Sequence, residues 1–359
     1  MTHIDLTHCS RRGFVHTLSA ATLFPWVSAH AQDAGGVLKL GQSTALTGPL
    51  GDLGQAAVQG AKACFDAVNA KGGVNGRKIE LVSQDDGYGA KKALANAEGF
   101  IADKDIFALF NCLGTPMVEA MLPKVIESGI PFFAPYTGAL LARPKARNVF
   151  NIRASYTDEA EQLVQHLSTI GIKRIGVAYQ NNAFGKEVFE GARLAMEKYK
   201  VTNSSAVTIE NTGADAAAAA TKLLADAPEA ILMGLAGKPT IDFVKAMRQQ
   251  RKGMPLYALS VLGSAATLKA LGDDAVGIAV SQVVPLPNNT GVAVVRDFQQ
   301  AWKQSGTALE PSHLALEGYI NARVFVEALR RAGAKPTRES FIDATWALKK
   351  LDLGGFEIN

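Results

Sequence analysis

Short apolar runs alternate with stretches of helical periodicity along most of this 359-residue chain. Strands that alternate with helices of about 10–15 residues argue for parallel sheets covered on both faces. The first instance sets the pattern. Val37-Leu38-Lys39-Leu40-Gly41 reads as a strand, residues 46–54 as a glycine-rich turn, residues 55–70 as a helix of small side chains, and Ile79-Glu80-Leu81-Val82 as a second strand. Asp52 is of a type that caps the free N–H groups of a first turn. Gly72, Gly73 and Gly76 are stop signals, because glycine accepts positive φ. N–H groups at a helix start attract anions such as carboxylates. The turn therefore reads either as a ligand loop or as a plain connection.

The alternation continues. Helices are predicted over residues 90–102 and 117–128, with strands at 106–110, 131–134 and 149–152. A second series follows, with helices over 158–169, 185–199, 216–227 and 240–250 and strands at 175–179, 206–209, 230–233, 256–259 and 278–281. Helices over 314–332 and 338–348 close the chain. Two α/β halves in series predict two Rossmann-like lobes with parallel central sheets, and a cleft between them. In such sheets ligands sit beyond the carboxyl ends of the strands.

Charge and residue usage exclude several functions. A formal net charge of +4 without a lysine-arginine block gives no electrostatic support for nucleic-acid binding. Residues 1–31 read as an export signal: Arg11-Arg12, an apolar stretch, then Ala29-His30-Ala31 as a cleavage pattern. Ser10-Arg11-Arg12-Gly13-Phe14-Val15 also resembles a twin-arginine signal. Removing that segment leaves only His166 and His313. Histidine is the commonest general base and metal ligand, so catalysis, a metal site and a cofactor are not expected. Gly234-Leu235-Ala236-Gly237-Lys238-Pro239-Thr240 is two residues short of a phosphate-binding loop. Cys64 and Cys112 are expected as free buried thiols, with a bridge between them as the alternative.

Leu46-Thr47-Gly48-Pro49 with Gly54, Gly72-Gly73-Val74-Asn75-Gly76 and Asp85-Asp86 resemble the opening of the periplasmic branched-chain amino-acid binding proteins, the solute receptors of ABC importers. The resemblance continues through Gly114-Thr115-Pro116, Gly129-Ile130-Pro131, Phe184-Gly185 and Leu316-Glu317-Gly318-Tyr319. It implies a type I periplasmic binding fold. One lobe would comprise residues 32–152 and 286–359, the other residues 153–285, with crossings near Arg153 and Pro285. Members cross a third time near their C-terminus. This chain ends about where that crossing would begin, so the resemblance implies a truncated C-terminus and a looser closed state.

The resemblance also implies a ligand set. From the first lobe come Asp52, Leu53, Leu113, Gly114, Thr115, Tyr136 and Thr137; from the second come Phe184, Ala236 and Ser260. The Gly114-Thr115 and Thr137 regions would hold a ligand carboxylate, with helix capping as the alternative role of both threonines. Phe184 would cover the ligand or pack in the core. Amino-acid binders of the family carry a glutamate near Ser260 to pair with the ligand ammonium; serine cannot. The aromatic side chain usual near Ala236 is also absent. A carboxylate without an amino group, an aromatic acid or an amide therefore suits the site as well as leucine, isoleucine or valine. The partners implied are that small molecule and a membrane ABC permease, with the receptor a periplasmic monomer. The alternative is a sensor of the same fold that feeds a regulator.

Overall fold

A computed structural model describes residues 36–358; the export signal predicted over residues 1–31 lies outside them. The first series is β1 (Leu38–Thr44), α1 (Gly51–Asn69), β2 (Ile79–Asp85), α2 (Ala90–Ala102), β3 (Ile106–Phe110), α3 (Thr115–Ser128), β4 (Phe132–Phe133) and β5 (Val149–Phe150). The second is α4 (Tyr156–Thr169), β6 (Arg174–Gln180), α5 (Ala183–Tyr199), β7 (Thr202–Ile209), α6 (Ala216–Ala225), β8 (Ala230–Gly234), α7 (Lys238–Gln250), β9 (Leu256–Ala258), α8 (Ala265–Leu271) and β10 (Ile278–Val280). After these come α9 (Ala293–Gln304), α10 (His313–Arg331), α11 (Arg338–Trp346) and a small antiparallel hairpin, β11 (Leu351–Asp352) with β12 (Glu357–Ile358).

The two sheets repeat one topology. The first has the order β2-β1-β3-β4-β5, the second β10-β9-β8-β6-β7, and every pairing in both is parallel. Each sheet therefore reverses its winding once, between β1 and β3 in one lobe and between β6 and β8 in the other. Loops leave such a reversal point in opposite directions and open a crevice at the strand ends. Among the described residues no helix is long and apolar enough to cross a membrane.

Two departures from the sequence reading matter for the site. Helix α1 starts at Gly51, with Leu50 at the capping position and no side-chain cap, so Asp52 sits within the first turn. Helices α8 and α9 were not anticipated. Cys64 and Cys112 are both free and buried, and burial pushes each thiol up to about 12.

Helix α10 runs against α1 and α9 and brings the late part of the chain onto the first sheet. Phe325 on α10 meets Phe65 of α1, Phe110 of β3 and Phe133 of β4 edge-on, at centroid distances of 6.2, 5.7 and 5.3 Å. Arg338, at the start of α11, donates to the carbonyls of Ile106 and Phe107. The contact of α1 with α10 is backbone on backbone. A Cβ at Gly60 would lie 1.8 Å from the carbonyl oxygen of Ala315. Gly60→Ala must force the helices apart, and overpacking of this kind costs about 1–3 kcal/mol. Urea unfolding is expected to show that loss as a lower midpoint with an unchanged slope.

Candidate functional site

A small cavity, ≈ 20 Å³ in volume, lies where the carboxyl ends of the two sheets face each other. That is room for about one water molecule. The first lobe contributes Leu50 and Leu53 from the β1–α1 turn, Tyr88 from the turn after β2, Leu113, Gly114 and Thr115 after β3, and Tyr136 after β4. From the other side come Tyr156 at the start of α4, Phe184 after β6, Ala236 after β8 and Val261 after β9. Each sheet thus delivers its strand ends to the same place. A larger crevice, ≈ 440 Å³, lies between α1, α9 and α10, away from the strand ends. Its Arg323 is already paired with Asp297 at 2.9 Å.

Seven of the sequence-predicted residues line the cavity: Leu53, Leu113, Gly114, Thr115, Tyr136, Phe184 and Ala236. Helix α3 begins at the cavity wall with Thr115, behind Gly114 in a left-handed conformation (φ 102°) and with no side-chain cap. The positive end of the helix dipole and the first-turn N–H groups therefore lie there. The Thr115 hydroxyl is not a cap. It shares a 2.7 Å hydrogen bond with the Thr137 hydroxyl, and both residues are buried. Thr137 stands behind the wall and accepts from the Ala139 N–H at 3.2 Å. The Phe184 ring meets that of Tyr156 edge-on, 5.1 Å between centroids.

Asp52 and Ser260 do other work. The Asp52 carboxylate accepts from the hydroxyls of Ser264 and Thr267, at the N-terminus of α8 in the opposite lobe. It joins the lobes without lining the cavity. Two further bonds also cross the gap: the Lys238 N–H donates to the Pro49 carbonyl at 3.0 Å, and the Leu140 N–H to Glu187 at 2.5 Å. At the first of these the backbones touch, since a Cβ at Gly237 would lie 2.4 Å from the Pro49 oxygen.

Ser260 belongs to a buried ionic cluster. Its N–H donates to Glu159 Oε2 at 2.8 Å and its hydroxyl to Oε1 at 3.1 Å, while Arg153 Nη2 donates to that hydroxyl at 2.5 Å. Arg153 pairs with Glu159 at 3.1 Å and lies 3.6 Å from Glu317. The side chains of all three are no more than 4 % exposed. The Ser281 hydroxyl also donates to Glu159, at 2.7 Å. The guanidinium sits 5.6 Å from the ring centre of Tyr136 and 5.3 Å from that of Tyr156, both cavity walls. Burial works against the charge of Arg153, but Glu317, Tyr156 and Glu159 outweigh it and raise its pKa. Burial pushes the Glu317 carboxyl above its usual range, with Arg153 pulling the other way.

Sequence reasoning missed Leu50, Tyr88, Tyr156 and Val261 as cavity walls, and Arg153, Glu159 and Glu317 as the charges behind them. Leu50 lies inside the turn at residues 46–54, and Val261 inside the stretch Leu259-Ser260-Val261, both of which the sequence marks. Glu317 lies inside Leu316-Glu317-Gly318-Tyr319, whose role no local pattern discloses.

A family model described as a periplasmic binding protein matches residues 37–358. Among relatives, the Leu/Ile/Val-binding protein homolog 7 of Brucella abortus is 23% identical over 333 residues, covering 88% of this chain and 81% of the relative. Of solved structures, a substrate-binding periplasmic protein from Ralstonia solanacearum is 33% identical with a TM-score of 0.84, covering 89% of this chain and 91% of the other. A possible leucine/isoleucine/valine-binding protein from Rhodopirellula baltica is 29% identical with a TM-score of 0.85, covering 92% and 90%.

The ionic cluster yields a test. Arg153→Met leaves two buried carboxylates without their cation, which costs about 3–5 kcal/mol near neutral pH. A glutamate whose folded pKa is raised holds its proton more tightly folded than unfolded. Its stabilising effect is present at low pH and is lost as pH rises through the folded value. The deficit of Arg153→Met against the natural protein should therefore shrink between pH 7 and pH 5, measured by chemical denaturation at each pH.

Proposed function

This chain belongs to the periplasmic binding protein family, and from that premise we propose that it is the exported receptor of an ABC importer, holding a small carboxylate with an apolar or aromatic body between its lobes. It binds and releases its ligand unchanged, as a monomer, and the ligand-closed form docks on a membrane permease. The chain passes between lobes near Arg153 and Pro285, with residues 32–152 and 286–359 in one lobe and 153–285 in the other.

One observation carries this reading: the cavity wall is apolar and aromatic except at Thr115, where α3 begins. An anion placed there gains first-turn N–H groups and the positive end of a helix dipole. Hydrogen bonds to a charged acceptor are the stronger kind. No carboxylate lines the cavity. The carboxylates behind its walls are already engaged: Glu159 and Glu317 with Arg153, Asp86 with the Ser43 hydroxyl and the Tyr88 N–H, and Asp52 with Ser264 and Thr267. A buried ammonium without a carboxylate is costly. The site thus suits an acid without an amino group better than leucine, isoleucine or valine.

Matched pairs of ligands test the class. At equal concentration, 4-methylpentanoate and 3-phenylpropanoate are expected to raise the melting temperature, whereas leucine and phenylalanine raise it less or not at all. The reverse ranking would overturn the amine-free reading and leave an amino-acid receptor. Thr137→Val removes the hydroxyl bonded to Thr115, and is expected to weaken binding of the best acid by about 1–3 kcal/mol in calorimetry. An unchanged affinity removes the threonine pair from the site.

A further inference from the structure

Tyr88 is the one cavity wall whose backbone occupies the left-handed region without being glycine. Its φ is 64°, directly after Gly87 at 58°. For a bulky side chain this is an outlier, and such residues persist only where their surroundings over-determine them. Here two carboxylates do so. Buried Asp86 accepts from the Tyr88 N–H at 2.9 Å and from the Ser43 hydroxyl at 2.7 Å. Asp85 accepts from the Gly87 N–H at 3.0 Å and, on the neighbouring β1–α1 turn, from the Leu46 N–H at 2.8 Å and the Thr47 hydroxyl at 2.7 Å. The turn that carries Tyr88 is thereby tied to the strand end and helix start beside it.

The strained backbone delivers the ring to a particular spot. A Cβ on Gly114 would lie 2.8 Å from Tyr88 Cε2, so the ring lies against the residue that opens α3. Across the gap the phenol faces Asn182, and burial pushes its pKa well above the usual range. Asn182 is itself held in place: it caps α5 by accepting from the Gly185 N–H and donates to Asn211 at 2.7 Å. The ring therefore closes the cavity beside the end where a carboxylate would sit.

We propose that Tyr88 is a specificity-determining residue of the cleft, limiting the size of the ligand body accepted next to Gly114, with Asp86 as the positioning residue that holds it there. The proposal rests on reading the cleft as a carboxylate site. A wall of this kind admits or rejects ligands by the space it fills, and a single methylene in an apolar pocket changes affinity by about tenfold or more. Removing the ring should therefore reorder ligands rather than weaken them all alike.

The test is calorimetric titration of the natural protein, Tyr88→Phe, Tyr88→Ala and Tyr88→Gly with butanoate, hexanoate, octanoate, benzoate, 3-phenylpropanoate and 2-naphthoate. Tyr88→Phe keeps the natural rank order, because the ring that fills the space is retained. Tyr88→Ala gains about tenfold or more for the bulkiest acids relative to the smallest. Tyr88→Gly shows the same reordering and melts higher than Tyr88→Ala, because glycine adopts positive φ freely. That variant also serves if the alanine variant folds poorly. A natural protein that binds some of these acids, with alanine and glycine variants of unchanged rank order, overturns the proposal while leaving the carboxylate reading intact. A natural protein that binds none of them overturns both.

Discussion

One buried arginine joins the two halves of this molecule. Arg153 stands on the segment between β5 and α4. Its guanidinium pairs with Glu159 of α4 and approaches Glu317 of α10, a helix packed on the first sheet. Ser260, which follows β9, completes the ring of contacts. Buried ion pairs add little net stability over apolar packing of the same shape, but breaking one is costly. The cluster therefore acts less as glue than as a fixed point. It holds the crossing segment, one helix of each lobe and the aromatic cavity walls Tyr136 and Tyr156 in a single geometry.

What converges on that point follows from topology. Both sheets use the same strand order, each with one reversal of winding, and both reversals are turned toward the same gap. A loop that leaves a strand end there reaches the cavity after only a few residues. Leu113 to Thr115 lie a few residues past β3, and Phe184 lies at the start of α5, just after β6. The polar end of the cavity is the beginning of α3, a helix start whose direction is set by parallel pairing of β3 with β1 and β4. An anion-attracting position is thus a consequence of the fold, and the side chains around it decide which anion suits it.

Much of this was legible in the sequence wherever the signal is local. Helix α2 and strand β3 begin and end where the periodicity places them. The glycine stops after α1, with φ of 95°, 78° and 81° at Gly72, Gly73 and Gly76, have the conformations their residue type implies. Long-range pairing defeated the rest. Asp52 resembles a helix cap, but its carboxylate binds hydroxyls 212 and 215 residues away. Ser260 resembles a lost charge, but its neighbourhood is filled by Arg153 and Glu159 from a distant stretch. Tyr88 escaped for the opposite reason: tyrosine disfavours positive φ, so no local rule sends its ring into the cleft. Helix α9 was overlooked although Val294, Val295, Phe298, Ala301 and Trp302 form one buried face.

The contacts across the gap bear on how such a receptor closes. The bonds of Asp52 to Ser264 and Thr267, of Lys238 to Pro49 and of Leu140 to Glu187 run directly from one lobe to the other. None passes through the cavity. They favour approach of the lobes by themselves, so the closed arrangement carries stabilisation of its own and a ligand need only add to it. A ligand shifts that equilibrium only by the difference between its affinities for the open and closed forms. The cavity of ≈ 20 Å³ is smaller than any amino acid or aromatic acid. On the proposed reading, a ligand bound here displaces the ring of Tyr88, Phe184 or Tyr156, or holds the lobes slightly apart. Tyr88 and Phe184 reach the cavity from opposite lobes, so in the proposed site a ligand seated between them touches both lobes at once.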